Sequence, residues 1–126
     1  MSHDGTAVLG ITVHHDAASA VTRMSLSGDL DAAAADRVQQ AFLEVLRLYR
    51  PHRIDVDVHD LAFLDSAGIR SLILCQADAR EIGCRIILVD PPRPVFRVLE
   101  ITGLLEHFGV SDPRPPAGAI SLAPDG

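Results

Sequence analysis

Residues 54–74, Ile-Asp-Val-Asp-Val-His-Asp-Leu-Ala-Phe-Leu-Asp-Ser-Ala-Gly-Ile-Arg-Ser-Leu-Ile-Leu, change their hydrophobic period partway along. At the start Ile54, Val56 and Val58 alternate with Asp55, Asp57 and His59, the period of two that marks a strand. At the end Ile69, Leu72, Ile73 and Gln76 recur at helical spacing, with Cys75 and Ala79 close by. Between the two patterns lies Leu64-Asp65-Ser66-Ala67-Gly68. A buried strand therefore runs through a short loop into a helix, and Ser66 sits where that helix starts. Serine is a preferred N-cap, because its oxygen accepts a hydrogen bond from an otherwise unpaired backbone N–H.

The rest of the chain fits around this unit. Strand patterns at 7–15 and from Val21 to Ser27 flank the turn-forming Asp16 to Ser19, which predicts an antiparallel hairpin. Gly28-Asp29-Leu30-Asp31 reads as a loop, with Asp31 as N-cap of a helix over 32–49. Val38, Phe42, Val45, Leu46 and Tyr49 share one face of that helix. Pro51 stops it and biases Arg50 toward extended geometry. Gly83 ends the second helix, Ile86-Ile87-Leu88-Val89 is an apolar strand, and Asp90-Pro91-Pro92 turns into a third helix. Val95, Val98, Leu99 and Thr102 form the inner face of that helix, Gly103 ends it, and a short last strand falls within 104–110. The order β-β-α-β-α-β-α-β predicts an α/β domain. Its mixed central sheet has about five strands, with helices mainly on one face. The expected organisation is a flexible N-terminus over 1–6, a domain over 7–110 and a Pro/Gly-rich tail over 111–126.

Composition removes several function classes. The chain has 126 residues, 48% of them hydrophobic and only 4% aromatic, which is enough for one domain with an aliphatic core. Its net charge of −6 and lack of a basic cluster argue against nucleic-acid binding. All eleven basic residues are arginine. Without lysine there is no Schiff-base chemistry, no phosphate-binding loop with its Gly-Lys pair, and no kinase-type anchoring of ATP. No apolar leader opens the sequence and no run is long enough for a membrane span, so a soluble cytoplasmic protein is expected. Cys75 and Cys84 lie nine residues apart, without metal-site spacing, and are expected as reduced structural thiols.

Three groups of side chains invite a chemical reading. Asp55 and Asp57 fall on the same side of a strand, near Asp60 and Asp65. Paired acids or a magnesium site fit them, and so does a solvated strand face. The histidines do not converge, since adjacent His14 and His15 point to opposite faces. No metal site is expected. Ser66 lacks the Gly-x-Ser-x-Gly setting of a hydrolase nucleophile. It remains either a cap or a phosphate acceptor, with small Ala67 and Gly68 giving another protein's active site room to approach. A phosphate there adds roughly −1.5 to −2 charges at pH 7.

Gly28-Asp29-Leu30-Asp31, followed by a helix and then Leu61-Ala62-Phe63-Leu64-Asp65-Ser66-Ala67-Gly68-Ile69, resembles the STAS domain. Within that family the chain most resembles the small free-standing bacterial anti-sigma-factor antagonists, over residues 8–110. The resemblance implies a non-enzymatic regulator without a cofactor. It implies phosphorylation of Ser66 by a partner that is both anti-sigma factor and serine kinase. The unphosphorylated protein would bind that partner and release the sigma factor, and a serine phosphatase would reset it. It also implies that Asp29 and Asp31 join Asp65, Ser66, Ala67 and Gly68 in the partner surface. Ala67 stands where many relatives carry a second hydroxyl, and the Pro-broken 111–126 replaces the usual C-terminal helix. The alternative within the family is a structural subunit of a lipid-transport ABC complex, with Ser66 as a packing or capping residue.

Overall fold

The computed structural model describes residues 8–105 and 108–111. Strands β1 (Gly10–Asp16) and β2 (Val21–Leu30) form the hairpin. Helix α1 (Ala35–Tyr49), strand β3 (Arg53–Leu64), helix α2 (Ser66–Glu81), strand β4 (Arg85–Val89), helix α3 (Arg93–Ile101) and strand β5 (Gly109–Ser111) come after it. The five strands lie side by side in chain order, with β1–β2 antiparallel and every later pairing parallel. This is the mixed sheet that the element order predicts. Each parallel connection advances by one strand in the same direction, so right-handed crossovers bring the helices to a common face.

The two faces of the sheet differ sharply. Met24, Val56 and Leu88 stand in one row across β2, β3 and β4, and all three are buried. Thr22, Ile54 and Ile86 form the next row and are buried as well. The alternate rows carry Arg23, Asp55 and Ile87, then Ser25, Asp57 and Val89, none of them buried. Asp55 and Asp57 thus share a face, but a different arginine holds each. Arg53 reaches Asp55 at 2.8 Å and Arg23 reaches Asp57 at 2.9 Å. Partial burial works against the Asp57 charge. The His59 backbone N–H and the Arg23 guanidinium outweigh it and keep the carboxyl below its usual range. The pair belongs to a solvated strand face with local ion pairs.

The helices close the other face with aliphatic side chains. Val38, Phe42, Val45 and Leu46 of α1 are buried, and α1 packs on α2. Tyr49, expected on the same face, is instead exposed and stacks on the ring of His15. In α2 the buried set is Gly68, Ser71, Leu72, Cys75, Gln76 and Ala79, while Ile69 and Ile73 are only partly buried. The helix is therefore rotated toward its small residues, which let it lie close to its neighbours. Burial pushes the Cys75 thiol up to about 12 and the Cys84 thiol up to about 11, so both stay protonated as packing groups.

Several boundaries differ from expectation. β1 starts at Gly10, and β2 runs on through Leu30, so Gly28-Asp29-Leu30 is the end of a strand. It remains in the sheet because its backbone continues to pair with β3 across register irregularities. α1 begins at Ala35: Asp31 caps only a preceding turn, its Oδ1 accepting from the Ala34 N–H at 3.2 Å. Arg50 is left-handed (φ 44°, ψ 56°) and not extended, with its N–H still bonded to the Leu46 carbonyl. Keeping that last helical bond outweighs the bias imposed by Pro51. The last strand is confined to Gly109–Ser111, so Ser111, expected in the tail, belongs to the sheet. The expected flexible stretch 1–6, His107 and the tail from 112 onward lie outside the described residues.

Phe42 is the largest of the fully buried side chains. Phe42→Ala should cost about 3–5 kcal/mol. It should lower the urea midpoint at an unchanged denaturant slope, measured by circular dichroism.

Candidate functional site

The site is built where β3 hands over to α2. Inward residues of β3 are Ile54, Val56 and Val58, then Leu61 and Leu64, so the spacing changes from two to three. The register with β2 accounts for this. Ser25 pairs with Asp57 and Ser27 with Asp60, which leaves one extra residue on β3. Gly28 pairs with Leu61 and Asp29 with Phe63, which leaves a second. Each extra residue reverses the inward parity of the strand beyond it. Leu64 therefore arrives facing the core beside Leu30, its register partner, and Phe63 is left half-exposed.

Asp65 alone separates the strand from the helix. Its N–H donates to the Leu30 carbonyl at 3.3 Å, which ties the turn to the end of β2. Its backbone is extended, and its Oδ1 accepts from the Gly68 N–H at 2.9 Å. Asp65 is thus the N-cap, which corrects the expectation that Ser66 fills that role. The capping position needs extended backbone, and the chain has already turned helical at Ser66. Ser66-Ala67-Gly68 is the first turn of α2 and not a loop. Ser66 is exposed, and among the described residues no hydrogen bond engages its hydroxyl.

Gly68 fixes the position of this hydroxyl. A methyl group there would overlap the Leu30 carbonyl oxygen and come within 2.9 Å of Leu64 Cδ1. The start of α2 therefore lies directly against the backbone of β2, an approach open only to glycine. One turn further on, the Ser71 hydroxyl donates to the Gly68 carbonyl at 2.7 Å.

The other expected site residues divide by exposure. Asp29 and Asp31 flank Leu30, so the register brings both to the same end of the sheet as Asp65 and Ser66. Asp31 is half-buried and committed to its turn. Asp29 is only 8% exposed, so it presents little surface to another protein. Ala67 is half-buried beside Ser66. Sequence reasoning passed over two neighbours. Phe63 is an exposed aromatic (49%), and the change in spacing of the inward residues was its signal. Arg70 is exposed four residues after Ser66, one helical turn on along the same side. Among the described residues there is no group of three or more His, Cys, Asp or Glu placed to hold a metal ion.

The family model described as "Mlab, STAS domain" matches residues 13–109. The chain belongs to the STAS domain family. Among characterised proteins it is similar to an anti-sigma F factor antagonist of Paenibacillus polymyxa, at 26% identity over 82% of this chain and 87% of the relative. It is also similar to an anti-sigma-B factor antagonist of Listeria monocytogenes, at 25% identity over 69% of this chain and 75% of that one. Among solved structures, the unphosphorylated form of the anti-sigma factor antagonist SpoIIAA superposes with a TM-score of 0.70 at 19% identity, covering 82% and 87% of the two chains. That likeness establishes a common fold. No helix among the described residues is long and apolar enough to cross a membrane.

Gly68→Ala tests how the site is held. The added methyl should cost about 1–3 kcal/mol, read from the thermal midpoint. It should also speed amide exchange at positions 65 and 68, whose N–H groups make the two bonds of the turn.

Proposed function

We propose that this chain is a cytoplasmic, non-enzymatic anti-sigma-factor antagonist, switched by phosphorylation of Ser66. The unphosphorylated protein binds an anti-sigma factor that is also a serine kinase, and so releases the sigma factor. Phosphorylation ends the binding, and a serine phosphatase restores it. The observation that carries this reading is the unoccupied, exposed hydroxyl of Ser66 at the start of α2, relieved of capping duty by Asp65. Family membership and the antagonist relatives supply the context.

The energetics suit a switch. A phosphate on Ser66 meets the positive end of the α2 dipole, worth about 0.3–1 kcal/mol at an exposed site. The fold therefore tolerates it. Against a docked protein surface the same charge, added beside the Asp65 carboxylate, must be stripped of water, which costs several kcal/mol. Asp65, Ser66, Ala67 and the exposed Phe63 form the accessible part of the proposed partner surface. Gly68 holds its backbone in place, and Asp29 and Asp31 lie at the same end of the sheet.

The purified chain, incubated with its cognate anti-sigma kinase and ATP, should gain one phosphate, located at Ser66 by mass spectrometry. Ser66→Ala should gain none and still capture the kinase, while Ser66→Asp should capture it at least tenfold more weakly, given the roughly 1.4 kcal/mol per tenfold in affinity. Equal phosphorylation of Ser66→Ala and wild type would sink the proposal. Co-purification with a transporter ATPase, with Ser66 unmodified in cells, would favour the second reading, a structural STAS subunit of a lipid-transport ABC complex.

A further inference from the structure

Among the described residues the sheet ends on one side at β1, and nothing there pairs with that edge. Exposed edge strands are normally guarded by lysine, proline, inward charges or bulges. β1 contains no lysine, arginine or proline, and its one carboxylate, Asp16, is its last residue. Its pairing with β2 runs from Gly10 to Asp16 without a register shift, so no bulge twists the edge away. Its inward side chains are also incompletely covered. Ile11 and Val13 face α1 across an open groove whose far wall is Ala41, Val45, Leu48 and Tyr49. Val13 is 43% exposed and Leu48 60%. Tyr49 is held in place by its stack on His15, centroids 4.3 Å apart, and His15 in turn bonds to the buried Thr22 hydroxyl at 2.7 Å.

We propose that this edge and groove form a self-association surface whose occupant is a second copy of this chain. The argument is complementarity under a two-fold axis. Antiparallel pairing of β1 with β1 of a second copy satisfies the free edge of both and continues the sheet across the interface. An axis normal to the sheet leaves both α1 helices on the same face, running antiparallel. Ile11 and Val13 of each copy then fill the space left open between the two helices. The groove also carries Arg37 and Glu44, seven residues or about two helical turns apart on α1, with Gln40 midway. Antiparallel helices centred near Gln40 set Arg37 of each copy against Glu44 of the other, so opposite charges meet twice. Both side chains are available for this. Arg37 spends one N–H on the Leu9 carbonyl at 2.9 Å and has further donors. Among the described residues Glu44 is held only by Arg47, in an exposed pair at 3.2 Å.

Sedimentation velocity of the full chain should show a dimer in the micromolar range. Val13→Lys, which puts a charge on the inward side of the edge, should give a monomer with unchanged circular dichroism. Arg37→Glu and Glu44→Arg should each weaken the dimer about tenfold, because symmetry places two like-charge contacts in every homodimer. An equimolar mixture of these two variants should recover the wild-type affinity, since in the mixed dimer both contacts are again between opposite charges. A wild-type chain that stays monomeric overturns the proposal, as does a dimer insensitive to all three substitutions. If a monomeric wild type loses capture of the anti-sigma partner on Val13→Lys, the edge belongs to that partner and self-association is wrong.

Discussion

The contact between Gly68 and the Leu30 backbone is the constraint on which the site depends. It brings the start of α2 against the end of β2 with no side chain between them. The Asp65 N–H, bonded to the same Leu30 carbonyl, closes the turn from the strand side. The Asp65 carboxylate closes it from the helix side by accepting from Gly68. Three residues thus lock two elements that are 36 positions apart in the chain, counting from Leu30 at the end of β2 to Ser66 at the start of α2. Ser66 is the residue left over: its neighbours make the bonds, and its hydroxyl faces solvent.

In this arrangement a charge added at Ser66 would leave the hydrogen bonds of the turn in place. The capping bond belongs to Asp65, so modifying Ser66 removes no hydrogen bond from α2. The capping bond and the exposed hydroxyl thus belong to two neighbouring side chains, Asp65 and Ser66. Beneath them, the bulged end of β3 keeps Leu64 in the core and turns Phe63 outward, so an apolar surface adjoins the hydroxyl.

The two ends of the molecule have different physical character. Near Ser66 the surface combines the Asp65 carboxylate, the Phe63 ring, the Arg70 guanidinium and the first turn of α2. At β1, among the described residues, the surface is an unpaired strand edge over a largely aliphatic groove. The sheet separates them, with β1 at its margin and the β3–α2 turn at the ends of its inner strands. The face between, with Arg23, Asp57, Arg53 and Asp55 in ion pairs, has the polarity of a solvated antiparallel or mixed sheet.

Much of this was legible from the residues alone. Alternation at Ile54, Val56 and Val58, helical spacing from Ile69 onward, and the short connections between patterns determined the element order and the mixed sheet. The absence of lysine removed whole classes of chemistry before any fold was known. The Asp-Ser-Ala-Gly run marked the site, and the resemblance it carried pointed to the STAS family. What the sequence by itself did not determine was which of two adjacent residues caps α2. Aspartate and serine are about equally good caps, so propensity gives no preference, and only the bulges in β3 decide which one arrives with extended backbone. Tertiary structure likewise decided that Gly28-Asp29-Leu30 is strand and not loop, because pairing with β3 satisfies its backbone. It decided that Asp29 is buried, and that Tyr49 leaves the core for His15. Each of these outcomes depends on a neighbour distant in sequence, which local periodicity does not register.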